Sequence, residues 1–188
     1  RGANDGNVIT ASGGNGILIG PDGGNNNLIT DNSIFGNALR GIEIGAPGLN
    51  PNDPMDPDVG PNNLQNYPEI VSLTLNGMGE LIVSYKVDSA PEHSTYGPGG
   101  LYVEFFEADA LGAGRVLLGS DHYLLSDYNN GLPGTRVKNL GDPAAIGLQM
   151  GDKVTMSVTD AAGNTSEFTP AVDGPFPAEH RVALGDRI

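Results

Sequence analysis

Near the start of the chain, apolar residues fall into two linked groups. Asn7-Val8-Ile9 leads to Gly16-Ile17-Leu18-Ile19-Gly20, and Asn27-Leu28-Ile29 leads to Gly41-Ile42-Glu43-Ile44-Gly45. Ile42 and Ile44 share one strand face while Glu43 points the other way, and Ile17 and Ile19 form the matching inward pair. Gly13-Gly14-Asn15, Asp22-Gly23-Gly24-Asn25-Asn26 and Gly36-Asn37 fill the intervals with residues suited to tight corners. This is the pattern of one turn of a stacked solenoid written twice, and a single unit of that kind cannot cover its own apolar face. The first residues are therefore expected to stack on further turns or on another molecule. Asn7 and Asn27 are placed as a ladder inside the turns, their amides bonding along the axis, with Gly16 and Gly41 at the corners before the strands. Asn7 to Asn27 is 20 residues whereas Gly16 to Gly41 is 25, so the second unit is expected to hold an extra short strand, Ser33-Ile34-Phe35.

Residues 47–68 break the pattern with repeated Pro, Asn and Asp, a stiff irregular junction in which each Pro also biases its predecessor toward extended geometry. Strict alternation follows. Leu81, Val83, Tyr85 and Val87 share one face, and Val154, Met156 and Val158 alternate with Lys153, Thr155, Ser157 and Thr159. With runs at Ile70 to Leu75, Leu101 to Glu107, Arg115 to Leu118, Asp121 to Leu125 and Arg136 to Leu140, this predicts about seven strands in two packed sheets. The expected division is solenoid turns over 1–46, junction over 47–68, sandwich over 69–172 and a tail over 173–188. Arg181-Val182-Ala183-Leu184 in that tail reads as an exposed strand.

Composition narrows the function classes. Twenty-three acidic residues against nine basic ones give a net charge of −14, which disfavours nucleic acid and anionic membrane as partners. Cysteine is absent, which excludes disulfides, thiol nucleophiles and Cys-ligated zinc. No run approaches the roughly 20 apolar residues of a membrane helix. No leader-like segment opens the sequence, so any export signal is expected upstream or already removed. Scarce Lys with abundant Asp, Asn, Gly and Thr suggests an extracellular or cell-surface protein.

Several stretches together resemble a known group. Asp58-Val59-Gly60-Pro61-Asn62-Asn63-Leu64-Gln65-Asn66-Tyr67-Pro68, Tyr102-Val103-Glu104-Phe105-Phe106 and Thr159-Asp160-Ala161-Ala162-Gly163-Asn164-Thr165-Ser166-Glu167-Phe168 follow the Gly-Ile-x-Ile turns. This succession resembles the C-terminal region of bacterial secreted right-handed parallel β-helix proteins of pectate-lyase type. The resemblance covers about residues 5 to 170 and implies an all-β chain: a short parallel β-helix of about two rungs followed by an immunoglobulin-like β-sandwich. It implies surface, adhesive or polysaccharide-related roles without fixing an activity.

Candidate chemistry is sparse. There is no G-x-S-x-G elbow, H-E-x-x-H helix or P-loop, and His93, His122 and His180 stand in separate segments. Asp22, Asp31 and Glu43 are the only carboxylates placed to flank a sugar, and each also reads as a turn or surface residue. A polysaccharide partner would need aromatic platforms, yet the first portion has only Phe35 and the chain has no Trp. Calcium is the more credible ligand. Asp53, Asp56 and Asp58 offer three carboxylates within six residues, and Asp160 with Asn164 forms a second oxygen-rich turn, although both also read as ordinary turn chemistry. Asn164-Thr165-Ser166 fits a glycosylation acceptor but reads first as a hairpin corner. The expected function is a non-catalytic extracellular structural or adhesive module that self-associates through stacked rungs or strand addition. The competing expectation is the C-terminal fragment of a secreted polysaccharide lyase or glycoside hydrolase with its active rungs upstream.

Overall fold

The computed structural model describes residues 6–149 and 151–175; His180 and the strand expected at Arg181 to Leu184 lie outside them. The fold is all-β, and no helix among the described residues is long and apolar enough to cross a membrane.

Four short strands come first: β1 (Val8–Ile9), β2 (Ile17–Ile19), β3 (Ser33–Ile34) and β4 (Ile42–Ile44). They pair in parallel, Val8 opposite Ser33 and Ile17 opposite Ile42. Side chains keep the same step. Asn32 Oδ1 accepts from the Asn7 N–H at 3.0 Å and from Asn7 Nδ2 at 3.1 Å, Asn37 Oδ1 accepts from the Ser12 N–H, and Asn15 Oδ1 accepts from the Arg40 N–H, always 25 residues apart.

Two expectations are thereby corrected. Asn7 stacks on Asn32 and not on Asn27, and Ser33-Ile34 is the counterpart of Val8-Ile9 rather than an additional strand. The physical reason is that only the inward position of each short strand must be apolar, and Ile9 and Ile34 both meet that need. The outward position accepts an exposed Val8 or a Ser33 whose hydroxyl donates to the Arg115 carbonyl. Gly16 stands at a close approach of the two coils: a Cβ there would lie 2.7 Å from the Gly41 carbonyl oxygen. Two coils do not amount to a parallel β-helix, and the larger sheets are antiparallel and open.

The remaining strands are β5 (Glu69–Leu75), β6 (Leu81–Lys86), β7 (Leu101–Ala108), β8 (Gly114–Tyr123), β9 (Tyr128–Asn129), β10 (Leu132–Pro133), β11 (Arg136–Gly141), β12 (Lys153–Thr159) and β13 (Val172–Asp173). They form an antiparallel sheet ordered β11-β6-β5, a second ordered β13-β12-β7-β8, and the small β9-β10 hairpin. Segments read as separate strands at Arg115 to Leu118 and Asp121 to Leu125 fall into one strand, β8, which ends at Tyr123. Its apparent break is a bulge at Leu118, since Phe105 pairs with Gly119 while Phe106 pairs with Leu117.

Alternation decides the main core. Leu81, Val83 and Tyr85 from one sheet meet Leu101, Val103, Phe105, Val154, Met156 and Val158 from the other, all buried. The Tyr85 and Phe105 rings meet edge-on at 5.4 Å.

The opposite face of β7 and β12 is not solvated. Glu104, Phe106, Thr155, Ser157 and Thr159 on it are buried as well, because the coils lie against that face. A second apolar cluster joins Ile19, Ile29, Ile34, Ile42 and Ile44 of the coils to Phe106, Ala113 and Phe168. The composition changes at Pro47, but the packing is continuous across it.

Candidate functional site: the coil cap and the acidic junction

A backbone N–H at the edge of a stacked coil needs an acceptor, which in a longer stack the next coil's carbonyls supply. Between the two coils this is what happens: the N–H of Ala11 donates to Gly36 O at 3.3 Å, Gly16 to Arg40 O at 2.9 Å and Ile17 to Gly41 O at 2.8 Å. Where no further coil follows, under the last segment of the first coil and under the second coil, side-chain oxygens take over that task. The Asn26 N–H donates to Asn164 Oδ1 at 2.8 Å, Ile29 to Thr165 Oγ1 at 2.9 Å, Asp31 to Glu104 Oε1 at 2.8 Å and Gly36 to Asp109 Oδ2 at 2.8 Å. Glu167 serves two donors, the N–H of Ile44 at 3.1 Å and that of Asn50 at 2.9 Å.

The closing motif thus places its polar side chains under the coil, with Asn164, Thr165, Ser166 and Glu167 all buried. Phe168 follows and packs edge-on against Phe106 at 5.5 Å. Gly41 makes room for that ring: a Cβ there would lie 2.9 Å from Phe168 and 2.6 Å from the Ala113 methyl.

Asn62 links the coil, the junction and the sandwich. Its amide donates to the carbonyls of Asn27 and Thr165, each at 2.9 Å, and its oxygen accepts from the Asn27 N–H at 2.9 Å and Asn27 Nδ2 at 3.0 Å. All four hydrogen-bonding positions of the amide are filled at a residue with no solvent exposure. Asn27 therefore continues the axial stacking, but onto the junction. Neighbouring junction residues act similarly: Asn63 Oδ1 accepts from Asn25 Nδ2 at 2.7 Å, and Leu64 packs on the coil cluster.

Further along, Gln65 and Asn66 hold the acidic loop. Gln65 Nε2 donates to Asp56 Oδ2 at 2.8 Å and to Ser89 Oγ at 2.6 Å, while Ser94 Oγ donates to Asp56 Oδ2 at 3.0 Å. The Asn66 N–H donates to Asp56 Oδ1 at 3.1 Å, and Asn66 Nδ2 to the carbonyls of Asp53 at 2.8 Å and Asp88 at 2.6 Å. Asp53, Asp56 and Asp58 are thereby brought together, with one carboxylate oxygen from each inside a 4.8 Å span. Burial pushes the Asp56 carboxyl up to about 6, with Asp58 adding to the rise and the Ser89 and Ser94 hydroxyls and the Asn66 N–H opposing it. Burial, then the charge of Asp53, also raises the Asp58 carboxyl.

Asp160 and Asn164 do not join this group. Asp160 Oδ1 accepts the Asn164 N–H at 2.8 Å and its Oδ2 accepts Asn164 Nδ2 at 3.0 Å and the Thr95 N–H at 3.2 Å. Asn164 in turn serves Asn26, so this corner is a tertiary clamp, and its amide is too buried to accept a glycan. Asp22, Asp31 and Glu43 occupy separate surroundings. Asp22 is exposed in a turn, the Asp31 backbone is held by Glu104, and Glu43, expected to face outward, is buried with its carboxylate 3.9 Å from Arg40. His93 and His122 are exposed on different segments, His122 with its ring 5.5 Å from Tyr102.

The cap also sets a pH dependence. Burial raises Glu104 to about 7, against the pull of the Asp31 N–H. Glu104 and Asp56 thus both hold their protons more tightly folded than unfolded. Their contribution is fully present below the ordinary carboxylate range and is lost as pH rises through about 6 to about 7. Urea unfolding is expected to show stability falling between pH 4.5 and roughly 7.5, and Glu104→Gln should flatten part of that slope. A stability that rises with pH across this window would contradict the assignment.

The junction amides are functional residues to which the sequence pattern assigns no role. Their signal is the unusual density of carboxamides at Asn62, Asn63, Gln65 and Asn66, in a segment whose prolines, aspartates and family resemblance give these amides no role of their own. Compared with known proteins, the chain matches no protein-family model and no curated sequence.

Proposed function

We propose that this chain is a non-catalytic extracellular module that closes one end of a parallel β-helix. The observation carrying this reading is the replacement of next-coil carbonyls by Asn164, Thr165 and Glu104 beneath the last segment of the first coil and by Asp109 and Glu167 beneath the second. Such acceptors satisfy the coil's donors while offering no further edge to extend, which is the property of a terminator.

The other side of the stack differs. Among the described residues no strand pairs with the outer edges of β1 and β2, and Val8 and Leu18 are 69% and 61% exposed. A further coil in the same 25-residue register is the natural occupant. Head-to-tail stacking of whole copies into a filament is disfavoured, because the sandwich occupies the face the next copy would use. The scattered carboxylates of the coils favour a structural over a catalytic role, since glycoside hydrolysis needs two facing carboxyl groups about 5 to 9.5 Å apart.

Inserting a copy of residues 7–31 between Gly6 and Asn7 tests the reading. The melting temperature is expected to rise, with slowed amide exchange at Val8 and Leu18, while a scrambled insert of equal composition leaves both unchanged. Equal behaviour of the two inserts would defeat the proposal.

A further inference from the structure

We propose that Asp53, Asp56 and Asp58 form a binding site for a divalent cation of calcium type, which fastens the junction to the sandwich. The inference stands apart from the capping role and does not depend on what stacks on the first coil.

Two observations carry it. One carboxylate oxygen from each residue lies within 4.8 Å of the others. Independently, Asp53 Oδ1 and Asp58 Oδ1 are shielded from solvent and have no hydrogen-bond partner, the only buried side-chain polar atoms so left among the described residues. An unpaired carboxylate oxygen taken out of water is costly, and two of them beside a third, buried carboxylate compound that cost by repulsion. The donors that surround Asp56 are engaged by it or by backbone: Gln65, Ser94 and the Asn66 N–H bond Asp56, and the Asn66 amide bonds backbone carbonyls. Among the described residues no Lys or Arg forms an ion pair with any of the three. Two unpartnered carboxylate oxygens beside a third carboxylate are what a cation would satisfy.

Donor chemistry selects the ion. All donors are oxygen, with neither imidazole nor thiolate at hand, which suits a hard cation. Calcium–oxygen bonds of about 2.3–2.6 Å set opposite ligands roughly 5 Å apart, compatible with the observed span, and calcium accepts water or carbonyl oxygens in its remaining positions. Asp53 and Asp58 are each only partly covered as residues, which leaves a path for entry.

The site reaches three parts of the chain. Asp56 is bonded to Gln65 of the junction and to Ser94 beyond β6, and the Met55 carbonyl accepts from the Ala90 N–H at 3.0 Å. Cation binding would therefore tighten the attachment of the junction to the sandwich as well as neutralise charge.

Calorimetric titration with CaCl2 at constant ionic strength, together with thermal melts in CaCl2 or EDTA, tests the site on the whole chain. One Ca2+ per chain and a melting temperature several degrees higher in CaCl2 than in EDTA are expected. Asp58→Asn should abolish both effects while melting in EDTA no lower than wild type, because it removes an unpaired charge. The exposed Asp22→Asn serves as control and should retain both. Absence of binding heat and melting shift in wild type would overturn the proposal. So would a shift that persists in Asp58→Asn, which would mark diffuse screening of the net charge. If Asp58→Asn does not fold, Asp53→Asn carries the same comparison.

Discussion

Replacing Asn62 with alanine is expected to lower the free energy of unfolding by about 4 kcal/mol, as read from urea denaturation. The side chain is wholly buried and fills every hydrogen-bonding position it has, toward Asn27 on one side and Thr165 on the other. Alanine removes those bonds and strands the Thr165 carbonyl and the Asn27 backbone in a site with little room for water. A backbone cost adds to this. Asn62 has φ of 49°, followed by Asn63 at 52° and Leu64 at 49°, and asparagine tolerates that left-handed conformation better than alanine does. Asn62→Gly separates the two effects, since glycine relieves the backbone but still loses the amide, and should fall between alanine and wild type. A loss below about 1 kcal/mol for alanine would show that the junction is no hub.

Phe168→Ala should cost about 3 to 4 kcal/mol, in the range for deleting a buried aromatic ring. More telling is where the loss appears. Phe168 belongs to the cluster shared by coils and sandwich, separate from the main sandwich core. Amide exchange should therefore speed up at Ile42 and Ile44 while Val154 and Val158 stay protected. Uniform loss of protection would mean that the coils and the sandwich form one cooperative unit with no local opening.

The sandwich was readable in advance because β6 and β12 sit with one face in an apolar core, and burial of one face writes period two into a sequence. The coils were readable as coils for the same reason, through Ile17, Ile19, Ile42 and Ile44. Their register was not. Asn27-Leu28-Ile29 imitates Asn7-Val8-Ile9 residue for residue, whereas the true partner Asn32-Ser33-Ile34 differs at its outward position, where no core constrains the choice. The cap was hidden more deeply. Thr155, Ser157 and Thr159 read only as the polar partners in the alternation, yet they are buried by the coils, and polarity alone cannot distinguish a face that meets water from one that meets another polar surface. The acidic trio was visible because its members are close in sequence. The donors around it come from residues 65, 66, 89 and 94, which no local pattern connects to Asp56.

The cap has a consequence for the order in which the molecule assembles during synthesis. The donors at Asn26, Ile29 and Ile44 find their acceptors 138, 136 and 123 residues later, at Asn164, Thr165 and Glu167. Contacts of such long sequence separation pay their loop-closure entropy before any bond rewards it, and they form slowly. A ribosome delivers the coils first, but their lower edge stays unsatisfied until nearly the whole sandwich has emerged. The coils, made before the sandwich, are thus among the last parts to settle, and during that interval the exposed coil edge is where a nascent chain would pair with the wrong neighbour.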